Sequence, residues 1–152
     1  MRYFTALAFL SVLALASCRK NNASKIPHIS TLSIAPDSII GGSSGDTVYL
    51  SFHFTDGDAD LGNNQNTTNY DIYIKDLRTN TVTGYFFPSI PSQIEDPNVG
   101  LEGDCRIKLL AAFIIPRPDH LLLDTVRYEV YIKDKAQNES NHLTTPNIII
   151  LP

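Results

Sequence analysis

The sequence predicts an all-β domain, and three features of its composition and patterning support this class. After Cys18 the chain contains 16 Ile but only 6 Ala, and Ile favours strands whereas Ala favours helices. The chain's 8 Gly and 9 Pro are spread between short apolar runs. The run 46–55 alternates strictly, with Val48, Leu50, Phe52 and Phe54 on one face and polar or tyrosine side chains on the other.

Seven strands follow from the apolar runs and the turn residues that separate them. They are predicted at residues 29–35, 46–55, 70–77, 81–87, 105–115, 125–133 and 144–151, with a long proline-containing loop over 88–104. Tyr70, Ile107 and Leu109 are among the side chains expected to face the core. This number and spacing of strands predicts an immunoglobulin-like antiparallel β-sandwich.

Two similar segments strengthen this interpretation. Tyr70–Asp76 and Tyr128–Asp134 repeat nearly the same residues, and we expect them to be neighbouring strands that share one environment. Asp124 precedes Tyr128 by four residues, a spacing similar to the tyrosine corner that begins the sixth strand of immunoglobulin-like domains.

The first residues of the chain are typical of an export signal. Arg2 precedes the uncharged run Tyr3–Ala16, which at 14 residues is shorter than the roughly 20 residues that a membrane span needs. Such a run matches the apolar region of a signal peptide. One interpretation of these residues is an ordinary secretory signal, with Cys18 following it by coincidence.

Leu15-Ala16-Ser17-Cys18 resembles the lipobox of bacterial lipoproteins. The resemblance implies cleavage before Cys18, a diacylglyceryl group on its thiol and acylation of its new amino group. Several acyl chains together give a stable membrane anchor. We therefore expect a signal peptide at 1–17, a lipidated cysteine and tether at 18–28, and one domain at 29–152.

Charge and cysteine content exclude several classes of protein. Lys and Arg total 12 against 16 Asp and Glu, so a basic surface for nucleic acid is not expected. Two cysteines are too few for a disulfide scaffold or a cysteine-rich zinc module. With Cys18 lipidated, Cys105 cannot form an intrachain disulfide, and its apolar surroundings predict a buried, unreactive thiol.

The most informative segment for function is the acidic turn after the second predicted strand. Asp56, Asp58 and Asp60 alternate within a glycine-containing turn, and a hard cation such as calcium would relieve their mutual repulsion. The turn is not an EF-hand. The loop after the predicted strand 125–133 and the loop after the strand 46–55 meet at one end of an immunoglobulin-like sandwich. Asp134 and Asn138, which lie in the first of these loops, are therefore predicted as further oxygen ligands.

Two alternatives to a calcium site remain open. A solvated turn in which Asp and Asn side chains cap their own backbone explains the same residues. Lys133 and Lys135 would also offer competing ion pairs to the carboxylates.

The first strand runs antiparallel to the second, so we expect the tether to leave the domain at the same end as the acidic turn.

Three segments together resemble a group of lipoproteins from Bacteroidetes-type bacteria. They are Phe54–Gly62, the later Phe-Phe-Pro-x-Ile-Pro at 86–91, and Tyr128–Asn141. Lys135 and Gln137 depart from the Asp-Arg-Ala-Gly-Asn-Ser usual in the last of these. The resemblance implies an immunoglobulin-like fold and a cell-envelope location, and it implies no activity.

We therefore predict a lipid-anchored module of the cell envelope, at the outer membrane, that binds or supports other components and is stabilised by calcium. No nucleophile elbow, phosphate loop or zinc-protease motif occurs in the sequence, so catalysis is not expected. The membrane, through the N-terminal lipid, is the expected partner. The alternative is an accessory lipoprotein that binds carbohydrate or protein through Tyr49, Tyr73 and Tyr131.

Overall fold

A computed structural model describes residues 23–62, 69–88, 90–120 and 122–152. The predictions for the signal peptide and Cys18 lie outside these residues. The strands of the described part, in chain order, are β1 (His28–Ala35), β2 (Ser38–Ile40), β3 (Thr47–Asp56), β4 (Ile72–Asp76), β5 (Val82–Tyr85), β6 (Leu101–Leu110), β7 (Asp124–Val126), β8 (Tyr128–Ile132), β9 (Leu143–Thr144) and β10 (Ile148–Leu151). A single 3₁₀ turn, Ala111–Phe113, follows β6. The all-β prediction is confirmed.

The strands form three sheets. The first has the order β1-β3-β6 and the second the order β5-β4-β8-β9, and both are antiparallel throughout. In the third, β10 lies between β2 and β7, parallel to the former and antiparallel to the latter. The two similar segments are neighbours as expected, because β4 pairs with β8 in a register that places Tyr73 opposite Tyr131.

One hydrophobic core joins the three sheets. The alternating face of β3 supplies Val48, Leu50 and Phe52, which are 0%, 0% and 2% exposed. The second sheet adds Ile72 and other β-branched side chains, and the third adds Ile148 with its neighbours. Burying each such side chain contributes about 1.5–3 kcal/mol, so the period-two pattern read from the sequence is what holds the sheets together.

Strand β6 begins earlier than predicted. It starts at Leu101, not at residue 105, and so takes over the end of the predicted loop 88–104. Glu102 and Asp104 occupy outward positions, and Gly103 occupies an inward one, where an added Cβ would lie 3.2 Å from the ring of Phe54. The Phe54 ring fills the space that a side chain at position 103 would occupy, so a glycine fits this position within a paired strand. The same glycine makes the segment resemble a turn in the sequence.

Other boundaries also differ from the prediction. The 105–115 strand ends at Leu110 in the 3₁₀ turn, and the 144–151 strand is divided around Pro146, which has no N–H to donate to a ladder. The 125–133 strand begins at Asp124 and is interrupted between β7 and β8. Tyr70 was expected to face the core but is 41% exposed, because β4 begins two residues later. Strand β2 was not predicted.

A buried ion network lies at the end of the body where β7 begins. The Asp124 side chain is 0% exposed and lies 3.0 Å from Nη1 of Arg78 and 2.7 Å from Nη2 of Arg117. Burial alone would raise the pKa of Asp124, but hydrogen bonds from Arg117, from the Thr125 amide and from Arg78 lower it overall. Asp124 therefore stays ionised inside the fold with two cations beside it.

The two ends of the body differ in chemistry. Asp56 of β3 pairs with Leu101 of β6 at one end, and Thr47 pairs with Leu110 at the other. We call the first of these the acidic end and the second the apolar end. The apolar end and its adjoining turns expose the large side chains of Ile40, Leu110, Phe113, Ile115, Leu122, Leu123 and Leu151.

Among the described residues, no helix has the length and apolar character needed to cross a membrane.

Replacing Arg78 by alanine should lower the free energy of unfolding by about 2–4 kcal/mol, because a buried carboxylate loses one of its two cations. Urea denaturation measures this loss. Arg106→Ala is the matched control, since the Arg106 guanidinium lies over the Tyr49 ring on an outer face and its removal should cost only about 0.5–1 kcal/mol. Equal losses in the two variants would show that the buried network is not stabilising.

Candidate metal centre

The acidic turn begins where β3 ends. Asp56, its last residue, is 2% exposed, and its Oδ2 accepts a hydrogen bond of 2.9 Å from the amide of Asp60. This bond folds the turn back on itself and places Ala59 at a φ of 57°, a left-handed conformation that an alanine adopts only when its surroundings impose it. The turn is therefore held in a defined shape.

This shape brings the three predicted carboxylates together. One oxygen from each of Asp56, Asp58 and Asp60 lies within 4.8 Å of the others. The Oδ1 atoms of all three are buried and have no hydrogen-bond partner among the residues that the structure describes. Buried polar oxygens are normally paired, since leaving one unpaired is costly. The donor set is all oxygen and carries negative charge, which is the chemistry that a hard cation such as calcium binds.

The electrostatics of the cluster show the cost of leaving it without a counter-ion. Burial is the largest of the effects that together raise the pKa of Asp56 to about 7. The hydrogen bond from the Asp60 amide lowers this pKa, whereas the charges of Asp60, Asp58 and Asp134 raise it. Burial also raises the pKa of Asp60, followed by the charges of Asp134 and Asp58. The cluster therefore favours binding a positive species, either a proton or a metal ion.

Asp134 and Asn138 lie beside the turn, although their arrangement differs from that of two free ligands. The Lys135 amide donates to the carbonyl of Asp60 at 3.2 Å, which joins the two loops. Asp134 is fully buried, and its two carboxylate oxygens accept hydrogen bonds of 2.7 Å from the main-chain and side-chain nitrogens of Asn138. The pair thus adds negative charge next to the cluster but already uses its hydrogen bonds internally.

The lysines that could have neutralised the cluster pair with other groups. Lys133 lies 3.0 Å from Glu139, and Lys135 lies 3.8 Å from Glu95. Lys25 approaches Asp58 at 3.6 Å, but its side chain is 79% exposed, and a solvated ion pair of this kind contributes little. Burial and the nearby carboxylates raise the pKa of Asp60 overall, although the charge of Lys135 lowers it. The competing ion pairs expected from the sequence therefore neutralise the cluster only in part.

The tether reaches the body at this same end, as the antiparallel pairing of β1 and β3 requires. His28 pairs with Thr55. On the N-terminal side of His28, the carbonyl of Ser24 accepts a hydrogen bond of 2.8 Å from the amide of Gly57. On the C-terminal side of His28, Ile29 makes two hydrogen bonds with the Asn141 side chain. Its amide donates to Oδ1 at 2.8 Å, and its carbonyl accepts from Nδ2 at 2.9 Å.

Asp71 is a functional candidate that the sequence did not single out. It is fully buried just before β4, and its Oδ2 accepts a hydrogen bond of 2.9 Å from the Phe87 amide. Its own carbonyl accepts a hydrogen bond from the amide of Lys133 at 2.8 Å, which joins the residue before β4 to the residue after β8. An Asp directly before an apolar strand was the available signal, but that position is also common in solvated turns.

The three tyrosines expected to be exposed use their ring faces within the sheets, and of them Tyr73 and Tyr131 are half-buried. Tyr73 and Tyr131 stack at 4.9 Å between centroids, and Tyr131 stacks on His142 at 4.4 Å. Tyr49 lies under Arg106 at 3.9 Å. These contacts support the cross-strand role of the rings more than a free platform for sugars.

Cys105 is 4% exposed, and burial raises the pKa of its thiol to about 11. The thiol is therefore protonated at neutral pH and has the inert character expected from the sequence.

The chain matches no protein-family model, no curated protein and no solved structure.

The raised pKa of Asp56 predicts how stability depends on pH when chelator is present. Between its ordinary value of 3.8 and the folded value of about 7, the folded state holds a proton that the unfolded state has lost. Stability should therefore decrease as pH rises through this window. The melting temperature in EDTA should fall by several degrees between pH 5 and pH 8.

Asp56→Asn is the matched control for this prediction, because the amide has nearly the same shape but does not titrate. Its melting temperature should change less with pH than that of the wild type. Equal slopes for the two proteins would mean that another group governs the pH dependence.

Proposed function

We propose that the chain is a lipid-anchored, non-catalytic module of the bacterial cell envelope that is stabilised by calcium. The observation that supports it best is the group of three buried, unpartnered carboxylate oxygens in the acidic turn. The tether fixed beside this turn supports the anchoring role. Each part of the proposal has its own support and its own test.

Calcium fits the cluster better than other common metals. Calcium accepts six to eight oxygen ligands with flexible geometry, and three carboxylates leave room for water and carbonyl oxygens to complete its shell. Zinc prefers nitrogen and sulfur ligands in a tetrahedral arrangement, and the cluster contains neither. Magnesium demands strict octahedral geometry and keeps much of its water, so a turn that supplies one buried and two half-buried carboxylates favours the larger ion.

The sheet order supports an immunoglobulin-like sandwich as the finer description of the fold. The order β1-β3-β6 corresponds to strands A, B and E of such domains, and β5-β4-β8-β9 corresponds to C′, C, F and G. In this arrangement the acidic turn is the B–C loop and the 133–142 segment is the F–G loop. The amide of Lys135 binding the carbonyl of Asp60 agrees with two loops that meet at one end.

The support for the lipid anchor comes from the amino-acid sequence of the residues before the described part. The short apolar run, the Leu-Ala-Ser-Cys sequence and the polar residues after Cys18 support lipidation at that cysteine and, with it, an outer-membrane location. A body held by its acidic end then directs its apolar end away from the membrane. The exposed apolar side chains there support a binding role toward a protein partner, since such patches mark interaction surfaces.

Saturating calcium should raise the melting temperature of the protein relative to EDTA. At a concentration 100 times the dissociation constant the stabilisation is about 2.7 kcal/mol, or roughly 5–10 °C for a domain of this size. Isothermal titration calorimetry should report one site. Asp58→Asn should weaken calcium binding by at least about tenfold, because the cluster loses one of its charges.

Asp119→Asn serves as the control, since the Asp119 side chain is 75% exposed and lies outside the acidic end. This variant should keep the full calcium response. Identical melting curves for the wild type in calcium and in EDTA would rule out the calcium part of the proposal.

Cys18→Ser should move the protein from the membrane fraction to the soluble fraction of its native host, because the substituted residue cannot carry a thioether-linked lipid. Intact mass measurement of the wild type should show cleavage before Cys18 and the added mass of the lipid. A free thiol at Cys18 in the native protein would overturn the anchor.

A further inference from the structure

The contact between the tether and the acidic turn involves the residue between two of the clustered carboxylates. Gly57 lies between Asp56 and Asp58, and its amide donates to the carbonyl of Ser24 at 2.8 Å. A Cβ at position 57 would lie 2.4 Å from the Ser24 oxygen and 2.6 Å from the Ala23 oxygen. The tether backbone therefore passes over Gly57 at a distance that no other residue permits.

A hydrogen bond within the tether helps to hold the conformation that this approach requires. The Ser24 hydroxyl oxygen accepts a hydrogen bond of 3.0 Å from the amide of Ile26. Lys25 lies 3.6 Å from the Oδ2 of Asp58. One carboxylate of the cluster thus contacts the tether through its side chain, and the glycine before it contacts the tether through its backbone.

Resting on the calcium site proposed above, we infer that the bound ion fastens residues 23–27 of the tether to the turn. An ion that binds Asp56 and Asp58 fixes the backbone on both sides of Gly57, and so fixes the direction of the amide that binds Ser24. Without the ion, repulsion between the clustered carboxylates favours a more open turn in which this amide no longer points at the tether. The ion therefore controls where the anchor leaves the body.

Such coupling acts in both directions. If calcium favours the docked tether by some factor, the docked tether must favour calcium by the same factor. The coupling should be about tenfold, within the usual range for linked sites. The coupling can be measured in two ways, as the protection of the tether from proteolysis by calcium or as the gain in calcium affinity from a docked tether.

The test compares the full-length protein in detergent with calcium or with EDTA, using a lysine-specific protease that does not itself need calcium. Cleavage after Lys25, followed by mass spectrometry, should be about tenfold slower with calcium. Cleavage after Lys108, which lies within β6, reports unfolding of the body and should stay slow in both conditions.

Gly57→Ala separates tether docking from ion binding, because the added methyl group blocks the tether and leaves all three carboxylates in place. This variant should be cleaved after Lys25 at one rate with or without calcium, and its calcium affinity should be weaker by the protection factor of the wild type. Gly45→Ala is the matched control, since its added Cβ would meet only the Ser43 hydroxyl at 3.8 Å. It should behave as the wild type.

The outcomes distinguish this inference from the calcium site itself. Wild-type protein that binds calcium but is cleaved after Lys25 equally fast in EDTA overturns the fastening and leaves the site standing. Failure to bind calcium at all overturns both. Exchange of the Gly57 amide in the wild type, measured by NMR, provides a check without any variant: slower exchange with calcium supports the inference, and equal exchange contradicts it.

Discussion

The burial of the Asp56 carboxylate at the end of β3 is the constraint on which the acidic end of the body depends. β3 is paired on both sides, with β1 and with β6, so its last residue cannot turn toward solvent without losing its pairing with Leu101. Two more carboxylates follow within four residues, and the amide of Asp60 satisfies only one oxygen of the first. Negative charge therefore accumulates where water has little access, and desolvation of that charge is costly unless a cation compensates it.

Several carboxylates are buried in the described part of the chain, and the contrast between Asp56 and Asp124 is informative. Asp124 has two guanidinium groups within hydrogen-bond distance, and these lower its pKa despite full burial. Within the described ranges no cation lies at ion-pair distance from Asp56, and burial raises its pKa. At one site the fold supplies the positive charge from its own arginines, whereas at the other Lys133 and Lys135 pair with glutamates. This difference supports the proposal that the acidic turn binds a cation from solution.

Much of the fold could be predicted from the sequence, and the failures share a physical cause. The alternation in β3 was unambiguous because each inward residue is large and apolar. The start of β6 was missed because Gly103 contributes no side chain, and its inward position is filled by Phe54 from the neighbouring strand. The parallel pairing of β2 with β10 joins residues more than a hundred positions apart and leaves no local signal. At the site, Asp56, Asp58 and Asp60 follow from spacing, whereas the contact between Ser24 and Gly57 depends on tertiary approach and is invisible in the sequence.

The topology places the tether beside the acidic turn, so the proposed anchor and the proposed ion would be interdependent. β1 is antiparallel to β3, so the chain before β1 must arrive where β3 ends, and that is where the carboxylates lie. A parallel arrangement of the same two strands would have placed the tether at the apolar end, far from the ion. The glycine in the turn then has two functions, because it permits the tether to approach and supplies the amide that binds it. A change in the charge of the turn would therefore alter the contact between Gly57 and the segment that leads to Cys18.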